Sequence, residues 1–235
     1  VRVLVTGGRG WIGSAVCMEL QRRGHKVEAY DIKDGCDIHD ADQLAEAMAE
    51  ADAVAHLAAI PHPNPARRWE DYWGLNVVGT QEVARAATEA GVQRLVYASS
   101  TAYYGAQRGW LHGPFPLVEI GPNAVQRNMW AKPPELSDYN AAAWAYACSK
   151  VAAETVLAAY GMVARLDVVI LRFAPIPTSG EPWEWGLLCD RERAAQAIAD
   201  AIEAPPGRYR VYNVANTDVA LVDTSLWDGH GTKGG

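Results

Sequence analysis

Short runs rich in Val, Ile, Leu and Tyr recur along the chain, separated by longer stretches whose apolar positions repeat every three or four residues. The runs at 1–6 ("VRVLVT"), 25–31 ("HKVEAYD"), 51–59 ("ADAVAHLAA"), 92–100 ("VQRLVYASS"), 166–173 ("LDVVILRF") and 208–215 ("RYRVYNVA") have the length and composition of strands. Between them, residues 11–24, 40–51, 71–91, 143–161 and 190–205 carry the helical period, with Gly or Pro at their ends. Strict alternation of the two predicts parallel strands joined by crossover helices. Runs as continuously apolar as "DVVIL" predict a sheet covered on both faces. The expected fold class is α/β, a doubly wound parallel sheet.

Two regions break the pattern. Residues 105–141 and 174–190 hold Gly, Pro, Trp and Asn without clear periodicity, and both follow strand ends, the edge at which open α/β sheets bind ligands. The organisation expected is a core over 1–173, completed by about 191–214, with 105–141 as an active-site insertion and 174–235 as a short substrate lobe. Trp110, Trp130, Trp183 and Trp185 fall in the irregular segments, where indole faces suit either sugar rings or the cap of a small lobe. The tail "DGHGTKGG" reads as disordered, and there are no internal repeats.

Composition narrows the partners. A hydrophobic fraction of 49% with 21% charged residues is that of an ordinary globule, and a net charge of -7 argues against nucleic acid, whose phosphates need a basic surface. Cys17, Cys36, Cys148 and Cys189 are too widely spaced for a zinc site, so no metal is expected. Without an 18-residue uncharged span or a signal-peptide core, the expectation is a cytoplasmic protein with no membrane partner.

The junction of the first strand and first helix reads "VTGGRGWIG", with Gly7, Gly10 and Gly13 at intervals of three. Glycines there allow a tight turn, close approach of a pyrophosphate and close packing of helix on strand, with the anion at the helix N-terminus. Asp31 ends the second strand, where a carboxylate can bond both ribose hydroxyls and repel a 2′-phosphate, which favours NAD over NADP. Arg9 and Lys33 bring positive charge nearby and soften that preference. In "CDIHD", Asp37 and Ile38 can frame an adenine by a hydrogen bond and an apolar contact. The sheet is therefore expected to be of the Rossmann type.

"YACSK" places Tyr146 and Lys150 one helical turn apart in an alanine-rich helix. With 10 Tyr and 5 Lys in 235 residues, that spacing alone is weak. Its company gives it weight. Together "TGGRGWIG", "DI" at 37–38, "HLAA" at 56–59, "NVVGT" at 76–80, "YASSTAYYG" at 97–105 and "YACSK" resemble, in order, the motifs of the extended short-chain dehydrogenase/reductases, the NAD-dependent epimerases and dehydratases. The resemblance covers about residues 1–175.

It implies that Gly7, Gly10, Trp11, Ile12 and Gly13 hold the pyrophosphate, Asp31 the adenosine ribose, and Asp37 with Ile38 the adenine. Leu57, Ala58 and Ala59 would line the cofactor, Ser99 would lie beside the nicotinamide, and Asn76 would sit close to the active site or act as a buried amide tying helix to sheet. Ser100, Tyr146 and Lys150 would be catalytic. Pro175, where relatives often carry a sugar-contacting Asn, joins the cofactor-lining set.

An ordinary phenol, with a pKa near 10, is a poor base at neutral pH; a lysine on the same helical face can favour the phenolate. Tyr146 would take a proton from a substrate carbinol while Ser100 orients its oxygen. The expected activity is that of an NAD-dependent sugar or nucleotide-sugar epimerase. The alternatives are an NAD-dependent dehydrogenase of a free uronic acid or aldose, and a non-catalytic NAD(P)-binding sensor. The resemblance also implies a homodimer through the helices around 76–90 and 146–160.

Overall fold

The computed structural model describes residues 1–104, 138–164, 166–178, 188–216 and 219–221. Among them one sheet has seven strands: β1 (Arg2–Thr6), β2 (Lys26–Tyr30), β3 (Ala53–His56), β4 (Arg94–Ser100), β5 (Asp167–Phe173), β6 (Tyr209–Val214) and β7 (Val219–Leu221). Their order is β2-β1-β3-β4-β5-β6-β7. The first six are parallel, as the alternating pattern requires, and β7 returns antiparallel on β6. That seventh strand was not expected, because a three-residue strand has too little length to show a period.

The helices are α1 (Trp11–Arg22), α2 (Ala41–Met48), α3 (Trp69–Tyr72), α4 (Gly79–Glu89), α5 (Asp138–Val163) and α6 (Arg191–Glu203), with a π-helical segment over Trp73–Val78 joining α3 to α4. The backbone of α5 starts five residues before the expected 143, since Ala141 and Ala142 favour a helix and no Gly or Pro stops it. One apolar layer, including Val16, Leu20, Ile198 and Ile202, packs α1 and α6 on the sheet. The other, including Leu44, Val83, Ala87 and Leu157, packs α2, α4 and α5 on the opposite face. All seven side chains of β5 are buried, consistent with a centre covered on both sides.

At the sheet's N-terminal edge Arg94 joins Asp167 at 2.5 Å and donates to the carbonyls of Ala201, Ile202 and Ala204, so a buried cation closes the C-terminal end of α6. Strand order reverses between β1 and β3, which opens a crevice at the carboxyl ends of those strands. No helix among the described residues is long and apolar enough to cross a membrane.

Candidate active site

Three loops meet at the crevice. After β1 the chain turns through Gly7, at φ +71°, and a Cβ there would stand 2.8 Å from the amide nitrogen of Ala58. Gly13, in the first turn of α1, lies so close to this turn that a Cβ would meet the Gly7 carbonyl oxygen at 2.1 Å. Gly10 caps α1 without a side chain, leaving the backbone N–H groups of Trp11, Ile12 and Gly13 at the helix start open to an anion. A narrow glycine cradle facing a positive helix end fits a dinucleotide pyrophosphate. Leu57, Ala58 and Ala59 follow β3 and border the cradle half-buried, and Leu57 N–H donates to the Thr6 carbonyl at 3.0 Å.

Asp31 stands at the end of β2 as expected. It is buried, and accepts the backbone N–H of Arg9 at 2.8 Å and that of Lys33 at 3.0 Å, so its carboxylate joins the glycine loop to the turn after β2. Asp37 Oδ1 accepts the N–H of His39 at 2.9 Å. Ile38 is buried, its side chain filling the space left by the missing Cβ of Gly79 at the start of α4.

Arg191, the first residue of α6, reaches back to α1 and donates to the Trp11 carbonyl at 2.7 Å and to Ser14 Oγ at 2.8 Å, its guanidinium 4.3 Å from the centre of the Trp11 ring. Sequence reading missed this brace, as its partners are some 180 residues away.

The second half of the site lies where β4 meets α5. Tyr146 is buried with Ile60, Tyr72 and Ala145, and the Tyr72 ring meets it edge-on at 6.3 Å. Burial pushes its phenol up to about 12, while the nearby hydroxyl of Ser100 works the other way. Ser100 and Tyr146 are thus brought together.

Lys150 lies one turn beyond Tyr146 on α5 and is buried. Its Nζ is 5.9 Å from the centre of the Tyr146 ring and donates instead to Tyr97 Oη at 3.2 Å and to the Ala98 carbonyl at 3.0 Å. Burial lowers it to about 8, partly offset by Glu154 one turn further along α5.

Behind Lys150 a buried polar chain runs to the glycine loop. Thr80 Oγ1 spends its only proton on the Asn76 carbonyl at 2.6 Å, so it accepts from His56 Nε2 at 3.0 Å. Burial, with a smaller push from Lys150, lowers His56 to about 3, so the ring is neutral and its Nδ1 accepts from Thr6 Oγ1 at 2.6 Å. The hydrogens between Thr6, His56, Thr80 and Asn76 therefore have a fixed direction. Tyr97 Oη accepts from the ammonium of Lys150 at 3.2 Å, and its ring lies 5.5 Å from that of His56.

Asn76 is fully buried: it accepts the Ile60 N–H at 2.8 Å and donates to the Ile60 carbonyl at 3.3 Å and to Ser149 Oγ at 2.9 Å. Ser149 passes the tie on to the Tyr146 carbonyl at 2.7 Å.

Ser99 is likewise turned away from the crevice, its hydroxyl committed to Glu154. Glu154 pairs with Arg172 at 2.6 Å, both 3% exposed, and Arg172 Cζ lies 3.3 Å from the Tyr103 ring centre. A lone arginine inside "VVILRF" was the signal for such a partner, because a charge in a buried strand must be paired. Pro175 is exposed just past β5, and its carbonyl accepts from Cys189 N–H at 3.0 Å. Trp110, Trp130, Trp183 and Trp185 lie outside the described residues. Among the described residues no group of three His, Cys, Asp or Glu is gathered to hold a metal ion.

Residues 3–176 match the NAD dependent epimerase/dehydratase family. The chain belongs to this family. A UDP-glucose 4-epimerase of Rhizobium meliloti (strain 1021) is 29% identical over 235 residues, which cover 92% of this epimerase/dehydratase-family chain and 63% of that relative. An L-arabinose 1-dehydrogenase (NAD(P)(+)) of Haloferax volcanii is 37% identical over 106 residues, covering 42% of this chain and 41% of its own. The chain thus spans less than two thirds of both relatives. Among solved structures, MoeE5 in complex with UDP-glucuronic acid and NAD shares the fold with a TM-score of 0.70 at 24% identity, covering 96% of this chain and 80% of that one.

Proposed function

We propose that the protein is an NAD-dependent epimerase acting on a sugar or nucleotide sugar, with Ser100, Tyr146 and Lys150 as its catalytic residues. The observation that carries this reading is that Ser100, at the carboxyl end of β4, acts on the buried phenol of Tyr146, on a sheet whose β1–α1 turn forms a glycine cradle. Bound NAD would accept a hydride from the carbinol carbon and, in an epimerase, give it back. Ser100 orients the reacting oxygen, and Tyr146 takes or returns its proton at the phenolic oxygen. Lys150, held by Tyr97 and the Ala98 carbonyl, supplies fixed positive charge behind the tyrosine. The backbone around Gly7, Gly10, Trp11, Ile12 and Gly13 binds the pyrophosphate, and Asp31 binds the ribose and selects NAD over NADP. Asn76 and Ser149 act by holding the turn that carries Tyr146.

The Haloferax L-arabinose dehydrogenase supports a second reading, net oxidation of a free aldose or uronic acid. Both are tested by following reduced-nicotinamide absorbance with excess NAD over a panel of uronic acids, aldoses and nucleotide sugars. Conversion of a nucleotide sugar to its epimer without accumulation of reduced nicotinamide supports the first reading. A steady rise with a free sugar replaces it with the second. NAD binding with no turnover of any member would favour the sensor. A homodimer through α4 and α5 belongs to the same reading, and a monomer by light scattering at micromolar concentration would count against it.

A further inference from the structure

Asp31 is held by the backbone N–H groups of Arg9 and Lys33, so the two cations of this corner start from residues that touch the carboxylate. Both side chains are engaged. Arg9 Nε donates to Asp34 Oδ2 at 2.7 Å, and Lys33 Nζ donates to the Arg9 carbonyl at 3.1 Å. The backbone of Asp34 is held in the turn over Ile32–Asp34, where its N–H donates to the Asp31 carbonyl at 2.9 Å and which Gly35 ends in the left-handed conformation. Arg9 and Asp34 remain 57% and 41% exposed, so their pair contributes little to stability. What it does fix is the direction of the guanidinium and the net charge beside Asp31.

An arginine near the acid at the end of the second strand is the group that accommodates a 2′-phosphate. We infer that Asp34 is a specificity-determining residue: by holding Arg9 in an ion pair it withholds that guanidinium and adds to the discrimination against NADP. The inference rests on the proposed binding of NAD at this edge. Lys33 differs in that a carbonyl partner leaves its charge uncompensated, so Asp34 sets the balance through Arg9.

The test is direct binding of NAD and NADP, read by isothermal titration calorimetry, to the protein and to Asp34→Asn, Arg9→Ala and the double variant. Asp34→Asn is expected to improve NADP relative to NAD by about fivefold, the order expected for one unit of charge acting on a phosphate dianion across several Å of water. The gain should vanish when Arg9 is also replaced, and Arg9→Ala alone should not favour NADP. A ratio unchanged within about twofold in Asp34→Asn, or an equal shift with alanine at position 9, would overturn the role of Asp34 while leaving NAD binding intact. If the unaltered protein binds neither dinucleotide, the NAD reading fails and this inference falls with it.

Discussion

Ser99 Oγ donates to Glu154 Oε1 at 2.5 Å, joining the neighbour of Ser100 to the helix that carries Tyr146 and Lys150. The same carboxylate accepts from Arg172 of β5, whose guanidinium lies over Tyr103 in the turn after Ser100. One buried acid thus ties two strands, a turn and a helix around the proposed catalytic serine. Replacing Glu154 with leucine would leave a buried cation without its carboxylate, and an expected loss of about 3–5 kcal/mol should appear in urea unfolding. Replacing Arg172 with methionine at the same time should recover much of it.

The Thr80 hydroxyl makes two buried hydrogen bonds, to His56 and to the Asn76 carbonyl. Thr80→Val keeps the shape and removes them, stranding the His56 donor at an expected cost of about 1–3 kcal/mol. Thr80→Ser should restore most of that. Thermal unfolding of the pair separates the hydroxyl from the volume, and equal losses in both variants would show that packing alone matters.

His56 makes the fold acid-sensitive. Its folded pKa of about 3 lies below the ordinary 6.5, so between those values the unfolded chain binds the extra proton and stability falls as pH falls. The stabilisation is complete above pH 6.5, and the loss by pH 5 is expected to be about 2 kcal/mol. His56→Gln should flatten this part of the urea-midpoint profile between pH 7 and 5. An unchanged slope would assign the acid sensitivity to other groups.

Tyr146→Phe is expected to lower turnover by at least about a hundredfold, the usual contribution of a positioned acid or base. With the phenol pushed up to about 12, the tyrosine is protonated through the neutral range, so substrate oxidation should speed up as pH rises from 6 to 8. Near-normal turnover in the variant, measured on whichever substrate the panel identifies, would remove Tyr146 from the mechanism.

The parallel core was legible because its strands are buried on both faces and its helices carry a clear period. The glycine loop was legible because only glycine fits where Gly7 and Gly13 touch. Other features depend on contacts that a linear pattern does not carry. Tyr97 and His56 read as ordinary strand residues, and their polar atoms find partners only once β1, β3, β4 and α5 are assembled. Ser99, Asn76 and Ile38 belong to quoted motifs, but the partners of their side chains, Glu154, Ile60 and Gly79, are set by the fold and not by the motif.

The π-helical segment over Trp73–Val78 carries one more residue per turn than the flanking helix, which rotates everything before it relative to everything after. Its phase lets Asn76 reach Ile60 while Thr80, four residues on, still meets His56. Deleting a single residue here would swing one of those side chains through about 100°. The length of this segment, and not only its composition, is therefore under constraint, and shortened loops would be tolerated elsewhere more readily than in these six residues.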